Sequence, residues 1–128
     1  MDFSVLICVY GKDKPEWFEQ TLYSLSQQTK KSNEIILIID GILNKKLEKV
    51  IVAYKKILPI KVSRNSKNMG LAFSLNKGLH LCSNELVARL DSDDIALPYR
   101  FEKQINFMVK NPATTVLGGG INIINYKG

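Results

Sequence analysis

Apolar residues come in two rhythms along this chain. Residues 3–9 (FSVLICV) are continuously apolar, the pattern of a strand buried on both faces. Tyr10-Gly11-Lys12 breaks the run, and Pro15 suits the first turn of a helix. Phe18, Leu22 and Leu25 then recur at helical spacing, which predicts a helix over 15–28 with Trp17 as a packing residue. Residues 34–39 (EIILII) repeat the strand pattern and end at Asp40-Gly41. Leu47, Val50, Ile51, Tyr54 and Ile57 form a 3.6-residue stripe, hence a second helix that Pro59 stops. A short strand is predicted over 60–63, then a polar turn over 65–70 ending in Asn68-Met69-Gly70. Leu71, Leu75, Leu79 and Cys82 mark the inward stripe of a third helix, which Ser83-Asn84 ends. Residues 86–90 (LVARL) read as the fourth strand. Pro98 opens a fourth helix that turns Phe101, Ile105 and Met108 inward and ends at Asn111-Pro112. Residues 114–117 and 121–124 are strand-like, on either side of Gly118-Gly119-Gly120.

Strands alternating with helices predict an open, mostly parallel, Rossmann-like α/β sheet with right-handed crossovers and helices on its faces. Ligands of such sheets bind outside the carboxyl ends of the strands, where the strand order reverses. The residues at those ends are Tyr10, Asp40, the turn around Asn68, and Asp91-Ser92-Asp93-Asp94. They are polar and are expected to gather on one edge. The last group carries the sharpest chemistry. Three carboxylates in four residues repel one another and raise each other's pKa. A divalent cation removes that cost and takes oxygen ligands. In an extended segment Asp91 and Asp93 project to the same side, enough to grip a metal, or a metal and a ribose. The plainer alternative is a solvated acidic turn in which Ser92 or Asp94 caps the next helix.

Composition narrows the classes. A chain of 128 residues, 45% hydrophobic and 23% charged, suits one globular domain with a core of its own. No apolar run reaches membrane-spanning length. The start, Met1-Asp2-Phe3-Ser4, lacks the basic region of a secretory signal. Cys8 and Cys82 lie in apolar surroundings and read as buried free thiols, and the lone His80 reads as structural. The net charge of +6 suits anionic partners. No interleaving of aromatic and basic residues accompanies the lysines, so no nucleic-acid partner is expected. The first loop has neither a dinucleotide fingerprint nor a P-loop. A pyrophosphate would therefore be held by a metal on Asp93 rather than by a glycine cradle. Asp40 is suited to accept hydrogen bonds from a base or ribose, with capping of the following turn as the lesser alternative.

Four segments, SVLICVYGKDKPEWFEQTLYSLSQQT, EIILIIDG, RNSKNMGLAFSLNKGL and ARLDSDDIALPYRFEKQ, together resemble the nucleotide-binding half of the family-two glycosyltransferases. These are inverting enzymes with the glycosyltransferase A fold. The last segment is the most specific, resembling the D-x-D-D motif and following Pro-x-Arg of bacterial polysaccharide and lipopolysaccharide transferases. By this resemblance Val9 and Tyr10 line the nucleobase and Asp40 pairs with uracil. Lys67, Asn68 and Gly70 belong to the loop that closes over the base. Asp91 lies near the ribose and metal, Asp93 holds the metal, and Asp94 supports that geometry. Arg100 matches the family's arginine after the proline, as a structural ion pair or a ligand contact. Asn84 stands where the family has glycine, in a turn expected to need the left-handed conformation.

The resemblance implies transfer of a sugar from a nucleoside diphosphate sugar, a UDP-sugar first among them, to an acceptor hydroxyl with inversion. Mn2+ or Mg2+ is the implied cofactor, and a saccharide or lipid-linked saccharide the implied acceptor. The implied setting is cytoplasmic, with peripheral association at the inner face of the cytoplasmic membrane. It also places the catalytic base in sequence following Gly128, so residues 1–128 are expected to be the donor-binding part of a longer domain, inactive alone. Two rival readings are a metal-dependent nucleotidyltransferase, which would want a more glycine-rich basic first loop, and a non-catalytic nucleotide-binding module.

Overall fold

A computed structural model describes residues 1–124. Four strands, β1 (Ser4–Tyr10), β2 (Glu34–Asp40), β3 (Ile60–Asn65) and β4 (Val87–Arg89), alternate with α1 (Pro15–Ser26), α2 (Lys45–Lys55), α3 (Leu71–Leu81) and α4 (Arg100–Lys110). The strands form one parallel sheet in the order β3-β2-β1-β4. The order reverses beside β1, which gives the sheet a switch point between β1 and β4.

Period-two alternation divides the strands between two cores. Phe3, Val5, Ile7 and Val9, with Ile35, Leu37 and Ile39, pack with Phe18 and Leu22 of α1, Leu47 and Ile51 of α2, and Phe101 and Ile105 of α4. Phe3 meets Phe101 edge to face, with ring centroids 5.1 Å apart. Leu6, Ile36 and Ile38 face the other way, onto a smaller core with Leu75, Cys82 and Cys8. The long apolar runs of β1 and β2 thus reflect helices on both faces.

Several expectations shift in detail. The fully buried residues of α3 are Ser74 and Gly78; of the predicted stripe, Leu75 and Cys82 pack on the smaller core, whereas Leu71 and Leu79 are about half exposed. A Cβ on Gly78 would collide with the Leu6 side chain. At Gly78 the helix lies so close to the sheet that no larger residue fits, a contact that apolar spacing does not mark. Pro98 precedes α4 in a turn, where Arg100 N–H donates to the Leu97 carbonyl (3.0 Å). Neither Ser92 nor Asp94 caps this helix; its N-cap is Tyr99. Met108 is half-buried. Residues 114–117 and 121–124 form no strand. No described residue other than glycine has a positive φ, so Asn84 does not adopt the left-handed conformation. It closes its turn with its side chain instead, donating to Ser4 Oγ (3.0 Å) and Asn33 Oδ1 (2.7 Å). Cys8 and Cys82 are free and half-buried. Burial pushes the Cys8 thiol up to about 11, so it stays protonated at neutral pH.

Candidate functional site

Register builds the carboxyl edge. Tyr10 lies opposite Asp40, and Asp40 opposite Asn65, so the last residues of β1, β2 and β3 form one row. Asp40 and Asn65 are buried and Tyr10 is exposed. Beyond the row lies a cleft of about 330 Å³ lined by Tyr10, Lys12, Gly41, Ile42, Lys67 and Asn68, among others. Gly41 has a φ of 85°, and a Cβ there would strike the Asn68 side-chain oxygen. Glycine therefore answers two demands at once, a left-handed turn and room for the neighbouring loop.

Asp40 organises that loop. Its Oδ1 accepts from Asn65 Nδ2 (3.0 Å) and Met69 N–H (2.7 Å), and its Oδ2 from Gly70 N–H (3.1 Å). Burial favours the protonated form, but these three donors outweigh it and hold the carboxyl below its ordinary range. The charge also sits at the amino end of α3, where the helix dipole favours it. The turn into α2 is capped by a different residue: Asn44 Oδ1 accepts from Leu47 N–H (2.9 Å).

The acidic segment lies across the switch point. β4 pairs with β1 only as far as Leu6–Arg89, with Leu90 N–H reaching the Leu6 carbonyl (3.1 Å). The chain then turns, closed by Asp94 N–H to the Asp91 carbonyl (3.2 Å). Asp91, Asp93 and Asp94 are exposed and can each bring a carboxylate oxygen to within 4.8 Å of the others. Desolvation, then the charges of Asp91 and Asp93, push the Asp94 carboxyl up, with Arg100 opposing. This all-oxygen set suits a hard divalent cation such as Mg2+ or Mn2+.

Two contacts set the position of this segment. Ser92 Oγ donates to Asp13 Oδ2 (2.9 Å), which also accepts from Tyr10 N–H (3.0 Å). The Ser92 carbonyl accepts from Thr21 Oγ1 (2.9 Å). The acidic turn is thus tied to the loop after β1. Arg100 spans from α4 to the end of β4, donating to the Arg89 carbonyl (2.9 Å) and to Gln104 Oε1 (3.1 Å). Among the described residues Asp91 pairs with Arg89 (3.3 Å), a pair exposed on both sides.

The edge brings together most of the residues marked in the sequence. Tyr10, Lys67 and Asn68 line the cleft, Asp40 and Gly70 brace its wall, and Asp91 and Asp93 share the acidic turn. Val9 stands apart. Its side chain is buried in the larger core. Trp17 lies under Lys14, whose Nζ is 4.3 Å from the ring centroid. Asp13, Asn65 and Lys77 were not marked. For Asn65 the signal was its position at the end of the third strand; Lys77 lies one helical turn from Ser74.

The sequence profile of glycosyl transferase family 2 matches residues 4–126. The chain belongs to this family. It is 45% identical over 119 residues to the amylovoran biosynthesis glycosyltransferase AmsE of Erwinia amylovora, covering 93% of this chain and 45% of that protein. It is 40% identical over 125 residues to a UDP-Gal:alpha-D-GlcNAc-diphosphoundecaprenol beta-1,3-galactosyltransferase of Escherichia coli, covering 98% and 46%. The chain thus spans less than half the length of these relatives. Its fold matches S. aureus TarS 1–349 in complex with UDP-GlcNAc, with a TM-score of 0.78 at 22% identity over 96% of this chain and 37% of that one. The glycosyltransferase A fold expected from the sequence is the fold observed.

Proposed function

We propose that residues 1–128 are the donor-binding part of a longer glycosyltransferase domain. The reaction is transfer of a sugar from a nucleoside diphosphate sugar, a UDP-sugar in the first instance, to an acceptor hydroxyl by single displacement with inversion. The observation that carries this reading is the joining of the Tyr10–Asp40–Asn65 row and the acidic turn on one edge, at the switch point of a family 2 chain. Tyr10 and the loop carrying Lys67 and Asn68 flank the base. Among the described residues Asp40 Oδ2 accepts a single bond, and a carboxylate oxygen has room for a second. The N3–H of uracil is a suitable donor for it. Asp91 and Asp93 hold the diphosphate's metal, and Asp91 also faces the ribose. A divalent ion bound there supplies Lewis-acid neutralisation of charge on the departing diphosphate. Asp13, Thr21 and Arg100 keep the two acidic residues in place from three directions.

We place the base that takes the acceptor's proton outside residues 1–128, in the part of the relatives that this chain does not span. A saccharide or lipid-linked saccharide is the proposed acceptor, which the name of the E. coli relative supports. Polysaccharide or lipopolysaccharide synthesis at the inner face of a bacterial membrane is the corresponding setting, and the basic surface suits anionic lipid. No helix among the described residues is long and apolar enough to cross a membrane.

The test is a thermal-shift screen of nucleotides and nucleotide sugars with and without manganese. Metal-dependent stabilisation by UDP and UDP-sugars is expected. Stabilisation by triphosphates regardless of base would replace this reading with a nucleotidyltransferase.

A further inference from the structure

Asp40 does not stand alone behind the cleft. Asn65, 7% exposed, uses both ends of its amide. Its Nδ2 donates to Asp40 Oδ1 (3.0 Å) and to Ser74 Oγ (3.0 Å). Its Oδ1 accepts from Lys77 Nζ (2.9 Å), which also donates to the Arg64 carbonyl (3.1 Å). The chemistry of the two end groups fixes the direction of this chain of bonds. A carboxylate only accepts and an ammonium only donates, so the amide has one orientation that satisfies both. Ser74 cannot set that orientation, because a hydroxyl serves either role. Asp40 and Lys77 therefore hold the amide from its two ends, with its N–H groups toward Asp40. Without the ammonium, Asn65 Oδ1 loses its donor, and the amide that braces Asp40 is anchored from the Asp40 and Ser74 side alone.

We propose that Lys77 and Asn65 are positioning residues for nucleobase selection, locking Asp40 as an acceptor aimed at the base. The inference rests on the reading of this edge as a uridine nucleotide site. It adds that selectivity is set from α3, behind the cleft wall. Asp40, Asn65 and Lys77 all stand behind the residues that line the cleft, so Asn65 and Lys77 act through the Asp40 carboxylate that Asn65 touches. The distinction they enforce is between uracil, whose N3–H donates, and cytosine, whose N3 accepts and is repelled by a carboxylate.

The test compares affinities for UDP and CDP, each with manganese, for the wild-type chain and for Lys77→Met, which keeps the aliphatic stem and removes the donor. Lys77 is only half-buried, so the variant is expected to fold, and its melting temperature checks this. The wild type is expected to prefer UDP. Lys77→Met should shrink that preference roughly tenfold, the scale of one hydrogen bond to a charged group, by weakening UDP and leaving CDP almost unchanged. Asn65→Asp, which sets a second carboxylate against Asp40, should abolish the preference. A Lys77→Met variant that keeps the wild-type ratio, or weakens UDP and CDP equally, would overturn the positioning role alone. A wild type with no preference for UDP would overturn the uridine reading and this inference with it.

Discussion

Strand β2 carries a buried carboxylate at each end. Glu34 begins it and Asp40 ends it, both on the face toward α3, and among the described residues each accepts from three groups. Glu34 takes Ser4 Oγ (2.6 Å), Ser83 N–H (2.6 Å) and Lys61 Nζ (2.9 Å). Desolvation would raise its pKa, but these donors outweigh it and bring the group down from its ordinary 4.5 to about 2. One of its donors is a cation. The three donors to Asp40 are neutral, and two of them are backbone N–H groups of the loop beside the cleft. The amino edge is thus closed upon itself, tying β1, β3 and the turn before β4 together. At the carboxyl edge the same kind of buried charge shapes a loop that borders open space. A buried acid alone does not mark a functional site; what its donors belong to does.

The largest effect should come from breaking the closed end. Glu34→Ala leaves the Ser83 N–H and the Ser4 hydroxyl short of an acceptor and should cost about 3 kcal/mol of stability, measured by urea unfolding. Nucleotide affinity of the folded protein should not change. Acid sharpens the same contrast. Stability from a carboxylate with a depressed folded pKa is complete above its unfolded value and is lost as pH falls through the folded one. Glu34 should therefore stabilise fully above 4.5 and lose its contribution between there and about 2. In Glu34→Ala the fall in melting temperature over that window should be shallower. Next, Asp40→Asn should weaken UDP by roughly 1–3 kcal/mol, read by calorimetry, with adenine nucleotides little affected. The smallest effect is expected at Ser92→Ala. Loss of its bond to Asp13 should weaken metal-dependent UDP binding by about 0.5–1.5 kcal/mol and leave metal-free binding unchanged.

The layout was legible in the sequence where burial is two-sided and continuous, as in β1 and β2, or where one apolar stripe faces one core, as in α1 and α2. At α3 it was half legible: Leu75 and Cys82 pack on the smaller core as the spacing predicts, but the fully buried positions are Ser74 and Gly78, and small residues leave no hydrophobic signature. It failed at 114–117 and 121–124, where β-prone residues have no neighbouring strand within the described residues. The carboxyl-edge residues were found because strand ends can be read from where apolar runs stop. What could not be read was support across the fold. Asp13 reaches Ser92 over 79 positions, and Asn65 reaches Asp40 over 25. No local pattern encodes such pairs; they appear only once register brings the strand ends together.

The claim that the carboxyl edge binds a nucleoside diphosphate through its acidic turn is tested most directly by titrating UDP in the presence of manganese into the wild-type chain and Asp93→Asn. Asp93 is exposed, so the substitution should leave the melting temperature close to that of the wild type. Metal-dependent binding to the wild type and its loss in Asp93→Asn is the predicted result. Equal manganese-dependent binding by both proteins would contradict the assignment.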